Sequence, residues 1–448
     1  MENRNNDFLN GAILSPLLRF AGPVLLALFL QAMYGAVDLI VVGKFAGTAD
    51  ISAVSTGSQA MQLVTSLLVG LTTGVTVLLG QKIGEGRPDE AGRVVGSAIR
   101  LFVCIALALT ALLTVLTDPF CRLLQAPEEA FVPTTQYVRI CSAGTLFIVA
   151  FNVIGSVFRG LGDSKMPLIT VAIACVANIF GDLLLVDVFQ MGAAGAALAT
   201  VFAQAVSVIL SLFVIMRRKL PFTFRKEQLR FDRPLTAGIL RLGIPIALQD
   251  VLVGVSFLVI LAIVNSLGLL QSAGMGIAEK VCAFVMLLPS AFSQSVSAFV
   301  AQNTGAGKPE RAKKALRYSV AVSLGISVFV FYFNFFHGDL LAGIFANDRA
   351  VVLEAADYLK AYAIDCLLTS FLFCFVGYFS GRGKTVFVMT QGILGAFGVR
   401  IPMSFAMSRL PNVRLFYIGL ATPCSTVVQV LLCLGYYAHL SRRERAER

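Results

Sequence analysis

Apolar runs long enough to cross a bilayer recur along the whole of this 448-residue chain. A run of roughly 18 or more apolar residues matches the ~30 Å hydrocarbon layer of a membrane. No water is available there to the backbone N–H and C=O groups, so each run must close its own hydrogen bonds as a helix. Composition enters only as a check. The chain is 57% hydrophobic and 14% charged, with a mean hydropathy of +0.82, too little charge to coat a soluble protein of this size.

Twelve spans are predicted, at 16–43, 51–81, 94–117, 133–158, 166–187, 192–216, 237–265, 271–302, 315–336, 355–380, 385–408 and 412–440. The breaks between them carry turn chemistry: Gly84-Glu85-Gly86-Arg87-Pro88, Gly162-Asp163-Ser164-Lys165, Gly305-Ala306-Gly307-Lys308-Pro309 and Gly381-Arg382-Gly383-Lys384. Met1 to Ser15 is polar and lacks a short apolar stretch with a small-residue cleavage site, so no signal peptide is expected. The only long polar connector runs from Arg217 to Arg241. The prediction is an all-α polytopic membrane protein with twelve transmembrane helices in two six-helix lobes, 1–216 and 237–448, joined by a connector at 217–236.

Basic residues gather on alternate breaks, which orients the chain. Arg4 and Arg19 precede the first span; Lys82, Arg87, Arg93 and Arg100 follow the second; Arg159 and Lys165 follow the fourth. Arg217, Arg218, Lys219, Arg225, Lys226, Arg230, Arg233 and Arg241 fill the connector, and Lys308, Arg311, Lys313, Lys314 and Arg317 follow the eighth span. Arg382 and Lys384 follow the tenth, and Arg442, Arg443, Arg445 and Arg448 end the chain. Both termini are therefore expected in the cytoplasm. The net charge of +11 reads as a topology signal that also draws anionic lipid heads of the bilayer. Nucleic-acid binding would need a soluble basic domain, and none is expected.

Several chemistries are excluded on residue grounds. The nine cysteines lie mostly in apolar runs and form no C-x-x-C pair, and the two histidines, His337 and His439, stand near span ends. No redox centre or histidine relay is expected. No G-x-x-x-x-G-K-[ST] occurs, so the chain is not read as an ATPase or as an enzyme of any other kind.

The two halves repeat. Gln81-Lys-Ile-Gly-Glu-Gly-Arg-Pro-Asp-Glu-Ala91 aligns with Gln302-Asn-Thr-Gly-Ala-Gly-Lys-Pro-Glu-Arg-Ala312, an offset of 221 residues. At the same offset Tyr137 and Arg139 fall on Tyr358 and Lys360, and Phe158, Gly160 and Gly162 fall on Phe379, Gly381 and Gly383. One residue further, Arg19 and Pro23 fall on Arg241 and Pro245. Such ordered matches mark a duplication. Six helices is an even number, so the copies run parallel, with a substrate cavity expected between them near the midplane.

Charge inside a membrane is costly and marks function. Asp38 lies 19 residues beyond Arg19, ~28 Å along a helix, in the outer half of the first span. Gln31, Tyr34 and Asp38 share one helix face. Asn178 and Asp182 are i, i+4 neighbours at a similar depth in the fifth span, and Thr200 stands eight residues into the sixth from Gly192. The competing readings are plain: Asp182 as a solvated span end, Asn178 and Thr200 as packing polar residues. Gly192-Ala-Ala-Gly195-Ala-Ala-Leu-Ala199 is read as a close-packing helix face. Pro23 and Pro245 break the helical ladder of matching spans, and Pro23 is the candidate hinge. The remaining intramembrane charges are Asp250, Glu279, Lys280, Asp365 and Arg400. Asp250, Glu279, Lys280 and Arg400 join Gln31 and Tyr34 as candidates to line a substrate cavity. Lys280 and Arg400 are alternatively read as neutralising buried acids such as Asp365 or Glu279.

Assembled, these pieces resemble the multidrug and toxic compound extrusion (MATE) family of bacterial type. They are Pro23 with Gln31-Ala-Met-Tyr34-Gly-Ala-Val-Asp38 and Gly43, Gly80-Gln81 with Gly84 and Gly86, Phe158-Arg-Gly-Leu-Gly-Asp163-Ser-Lys165-Met-Pro167, and Ala301-Gln302-Asn-Thr-Gly305-Ala-Gly307. The resemblance covers essentially the whole chain. It implies alternating access and export of small organic, lipophilic cations in exchange for Na⁺ or H⁺, with no cofactor beyond that ion, by a monomer in the cell membrane. It also implies that Asp38, Asn178, Asp182 and Thr200 form a cation site, because the family uses these residue types at these places. Some relatives carry acids on the seventh and tenth helices; the corresponding residues here are Val253 and Thr369. Two other functions fit less well. A lipid-linked precursor flippase or endogenous metabolite exporter of related fold would favour a basic cavity, and a non-transporting receptor or scaffold would not need buried acids.

Overall fold

Of the glycines at φ between +65° and +80°, four follow helices at matching places in the two halves: Gly86, Gly162, Gly307 and Gly383. They pair at the repeat offset, and each closes a helix in a left-handed conformation that a side chain would strain. The computed structural model describes residues 8–124, 126–217, 222, 228, 232–411 and 413–446. Arg4, Arg218, Lys219, Arg225, Lys226, Arg230 and Arg448 of the orientation signal lie outside these, as does most of the predicted connector.

The described chain is helical, with no strand among the described residues. The elements are α1 (Leu14–Phe45), α2 (Thr48–Gly84), α3 (Pro88–Val115), α4 (Thr117–Leu123), α5 (Glu128–Ala143), α6 (Thr145–Gly160), α7 (Lys165–Asp182), α8 (Gly192–Arg217) and α9 (Arg233–Asn265). They continue as α10 (Leu269–Val285), α11 (Leu287–Gly305), α12 (Pro309–Phe336), α13 (Gly338–Gly343), α14 (Arg349–Gly381), α15 (Thr385–Ile393), α16 (Ile401–Ser408), α17 (Leu415–Gly419) and α18 (Ala421–Ala446). Pro88 and Pro309 open α3 and α12, where a missing N–H costs no helical bond. Wide-turn π segments, Leu183–Val188 and Leu394–Arg400, prolong α7 and join α15 to α16. By length and composition eleven helical segments among the described residues can cross a membrane, and the pair α5–α6 makes the twelfth with a 54° bend at Gly144. The chain is thus an all-α polytopic membrane protein of twelve spans.

Two compact units emerge. The first comprises the described parts of Met1–Ala12, Leu18–Ala247 and Ala301–Lys308; the second comprises Ile13–Leu17, Leu248–Val300 and the described parts of Pro309–Arg448. In the first unit α2 is the central helix, and its glycines admit its neighbours. A Cβ on Gly57 would sit 2.4 Å from the Tyr137 ring, one on Gly74 2.3 Å from the Ile239 carbonyl, and one on Gly70 2.3 Å from Cα of Ala247. The same unit contains a reciprocal contact between repeat-related turns. A Cβ on Gly84 would lie 1.9 Å from the Gln302 carbonyl oxygen, and one on Gly305 2.0 Å from that of Gln81. In the second unit α14 is the buried axis, lined by Ala355, Tyr358, Tyr362, Asp365, Cys366 and Thr369. There Glu444 of α18 pairs with Lys313 at 2.8 Å and with Arg382.

A buried acidic pair as the candidate ion site

The first unit brings Asp38, Asn178, Asp182 and Thr200 together from α1, α7 and α8. The approach of α7 to α8 sets the geometry. Gly181 faces Ala199, where an added Cβ would stand 2.9 Å from the alanine methyl, and Gly195 faces the backbone of Leu185. Small residues thus let the backbones close in, and Asp182 of α7 and Thr200 of α8 both face the Asp38 carboxylate of α1. Sequence reasoning missed the clamp at the α8 end. Asp50, in the first turn of α2, accepts a hydrogen bond from the Ala193 N–H at 2.9 Å and fills the space beside Gly192 at φ +54°. A carboxylate at a helix N-terminus satisfies orphan donors and complements the helix dipole. Its partner lies 143 residues away, so no local pattern could have revealed it.

Asp38 is 5% exposed, Asn178 1% and Asp182 0%, whereas Thr200 is half-buried. The Thr200 hydroxyl donates to the Ala196 carbonyl at 3.0 Å and reaches Asp38 Oδ2 at 3.4 Å, at the long edge of a hydrogen bond. Asp182 and Asn178 also face the Asp38 carboxylate. Even so, Asp38 Oδ1, both Asp182 oxygens and both polar atoms of the Asn178 amide lack a partner in hydrogen-bonding geometry. No Lys, Arg or His forms an ion pair with either acid among the described residues. Two carboxylates face one another away from water with no basic side chain paired to them among the described residues. Such an arrangement needs a proton or a cation between the acids. Tyr34 lies beside Gln31 and Gln204 next to this pair, and Tyr137 and Cys141 of α5 lie within reach of the Asp38 charge. Gln204, Tyr137 and Cys141 were not foreseen; Gln204 stands four residues beyond Thr200, the spacing that would have placed it on the same face.

The second unit holds the other charged candidates, and they do not form one cluster. Arg400 and Asp365 are buried near one another. Asp250 and Glu279 are half-buried, and Lys280 is exposed. None of these five forms an ion pair among the described residues. Pro23 and Pro245 lie inside helices that continue through them.

A family model described as MatE matches the chain twice, over residues 23–184 and 245–406. The chain belongs to the MatE family. The two matches begin at Pro23 and Pro245 and repeat the internal duplication. Among curated relatives, this MatE chain is 24% identical over 436 residues to the probable multidrug resistance protein YoeA of Bacillus subtilis, covering 96% of this chain and 94% of that one. It is 25% identical over 415 residues to the multidrug export protein MepA of Staphylococcus aureus, covering 90% and 89%. Among solved structures, MATE in the straight conformation superposes with a TM-score of 0.93 at 18% identity, covering 99% of this chain and 100% of that one. The two-lobe, twelve-helix MATE fold is therefore this chain's fold.

Proposed function

We propose that this MatE chain is a multidrug efflux antiporter of the cell membrane. It exports lipophilic organic cations in exchange for Na⁺ or H⁺, by alternating access between two six-helix lobes, 1–216 and 237–448, and acts as a monomer with both termini in the cytoplasm. One observation carries the reading: the buried Asp38–Asp182 pair, with Asn178 and Thr200 beside it, has unpartnered oxygens and no paired basic side chain among the described residues. The donor set is oxygen only, the chemistry of a hard monovalent cation, and a proton shared between the acids relieves the same repulsion. Occupation by either changes the net charge of the site. A cationic substrate held by that charge then competes with the ion, and by linkage the ion competes equally with the substrate. The curated relatives named for multidrug resistance and export support the substrate side of the reading.

The test is efflux of tetraphenylphosphonium from proteoliposomes with imposed gradients. The reading expects export driven by an inward Na⁺ or H⁺ gradient and abolished when both gradients collapse. Export that persists without either gradient, or a panel in which only anions move, would overturn it.

A further inference from the structure

Arg400 ends the π segment Leu394–Arg400 and is 6% exposed. A guanidinium carries five N–H donors and stays charged, so burying it requires partners. Here one is spent: Nη1 donates to Ser256 Oγ at 3.2 Å. The Phe257 ring lies 4.5 Å beneath Cζ, and Nε is buried with no partner. Asp365 on α14 is 2% exposed; its side chain meets Thr426, and its Oδ1 has no partner. The two charges feel each other but make no ion pair. Simple charge compensation would draw them into a forked contact, the strongest available to this pair. Instead a donor and an acceptor stand apart, both unspent, beside the stacked rings of Tyr358 and Tyr362, whose centroids are 6.2 Å apart.

The repeat sharpens the contrast. Ser256 occupies the position of Tyr34, and Val399, next to Arg400, occupies that of Asn178. Where the first half places a pair of acids, the second places a base with one acid. We propose that the second unit holds its own ligand subsite, in which Arg400 takes the carboxylate of an amphoteric aromatic molecule and Asp365 takes its amine. A planar carboxylate matches the guanidinium fork, an ammonium supplies the donors that Asp365 Oδ1 lacks, and Phe257, Tyr358 and Tyr362 suit an aromatic body. The subsite does not depend on the efflux reading, because its test is binding rather than transport.

The experiment is isothermal titration of the purified full-length chain with 4-(aminomethyl)benzoate and with its methyl ester. The acid should bind roughly tenfold more tightly than the ester, the worth of a charged hydrogen bond. Arg400→Gln should bring the acid down to the ester's affinity and leave the ester unchanged, and Asp365→Asn should weaken both. Arg400→Lys, which keeps the charge and loses the fork, should retain part of the preference and serves where Arg400→Gln fails to fold. Equal affinities for acid and ester in the parent chain would overturn the proposal. So would a full preference surviving in Arg400→Gln, or a preference abolished by Asp38→Asn. Loss of gradient-driven tetraphenylphosphonium export in the parent chain would count against the efflux reading and leave this subsite standing.

Discussion

At the scale of single residues the decisive property is unbalanced charge. Asp38→Asn leaves the volume and removes one of two facing carboxylates, so coupled export should fall by at least ~10-fold while the protein still reaches the membrane. Vesicle efflux at matched expression measures it, and full transport would remove Asp38 from the mechanism. Asp182→Asn should flatten the dependence of drug affinity on Na⁺ and pH, whereas Asp250→Asn, outside the acidic cluster, should leave it nearly intact. If Asp250→Asn alone removes ion dependence, coupling resides in the second unit. The four clustered residues were legible because a helix converts spacing into depth: Asp38 counted from Arg19 and Asp182 from Lys165 arrive at one level. Asp50 was not legible, because capping α8 from α2 is a tertiary event without local signature. Asp365 near Arg400 was among the acids the sequence offered it, but Ser256 and Phe257, which Arg400 contacts instead of pairing with an acid, were not, since charge in a span announces a cost and not the neighbours that meet it.

At the scale of elements, small residues decide which helices meet. The alanine-glycine run of α8 read as a packing face, and it packs against α7 at Gly181, one residue from Asp182, with Thr200 and Asp182 both facing Asp38. Gly181→Val should force α7 from α8 and cost about 1–3 kcal/mol of stability through overpacking. It should also weaken ion dependence without touching any ligand oxygen. Melting of the purified protein and ion-dependent drug binding check both. Gly325→Ala is the control, since nothing lies within 4 Å of its added methyl. Pro23→Ala restores an N–H donor to α1, so helix bending should become harder and turnover should fall with substrate affinity kept. Unchanged turnover would leave Pro23 a static kink. The bend at Gly144 escaped the sequence reading, which made 133–158 a single span, because a glycine between two apolar stretches looks the same whether the helix turns or continues.

At the scale of the whole molecule, orientation is the outstanding quantity. Single cysteines at Lys165 and Asn347, both exposed, should label from the cytoplasm and from outside respectively, in a background with Cys104 and Cys424 replaced by serine. Reversed accessibility would invert the topology. The twelve spans and the duplication were readable in advance because bilayer thickness and the even helix count leave little choice. The exchange of Ala301–Lys308 into the first compact unit was not, because the sequence repeat marks where each copy begins and says nothing of where its last turn packs.

The reciprocal seating of Gly84 and Gly305 carries a lesson about ancestry. Before duplication, a six-helix chain would have met a second copy of itself, and one glycine would have served both sides of that self-contact. Fusion made two genes' worth of position out of one, each now free to mutate alone. Yet what each glycine faces is a carbonyl oxygen, of Gln302 and of Gln81, and no codon alters a carbonyl. A side chain gained on either turn therefore has no compensating change opposite. A selection for second-site revertants of Gly305→Ala should return only the glycine, never a substitution at Gln81: the two halves can drift apart everywhere except where backbone meets backbone.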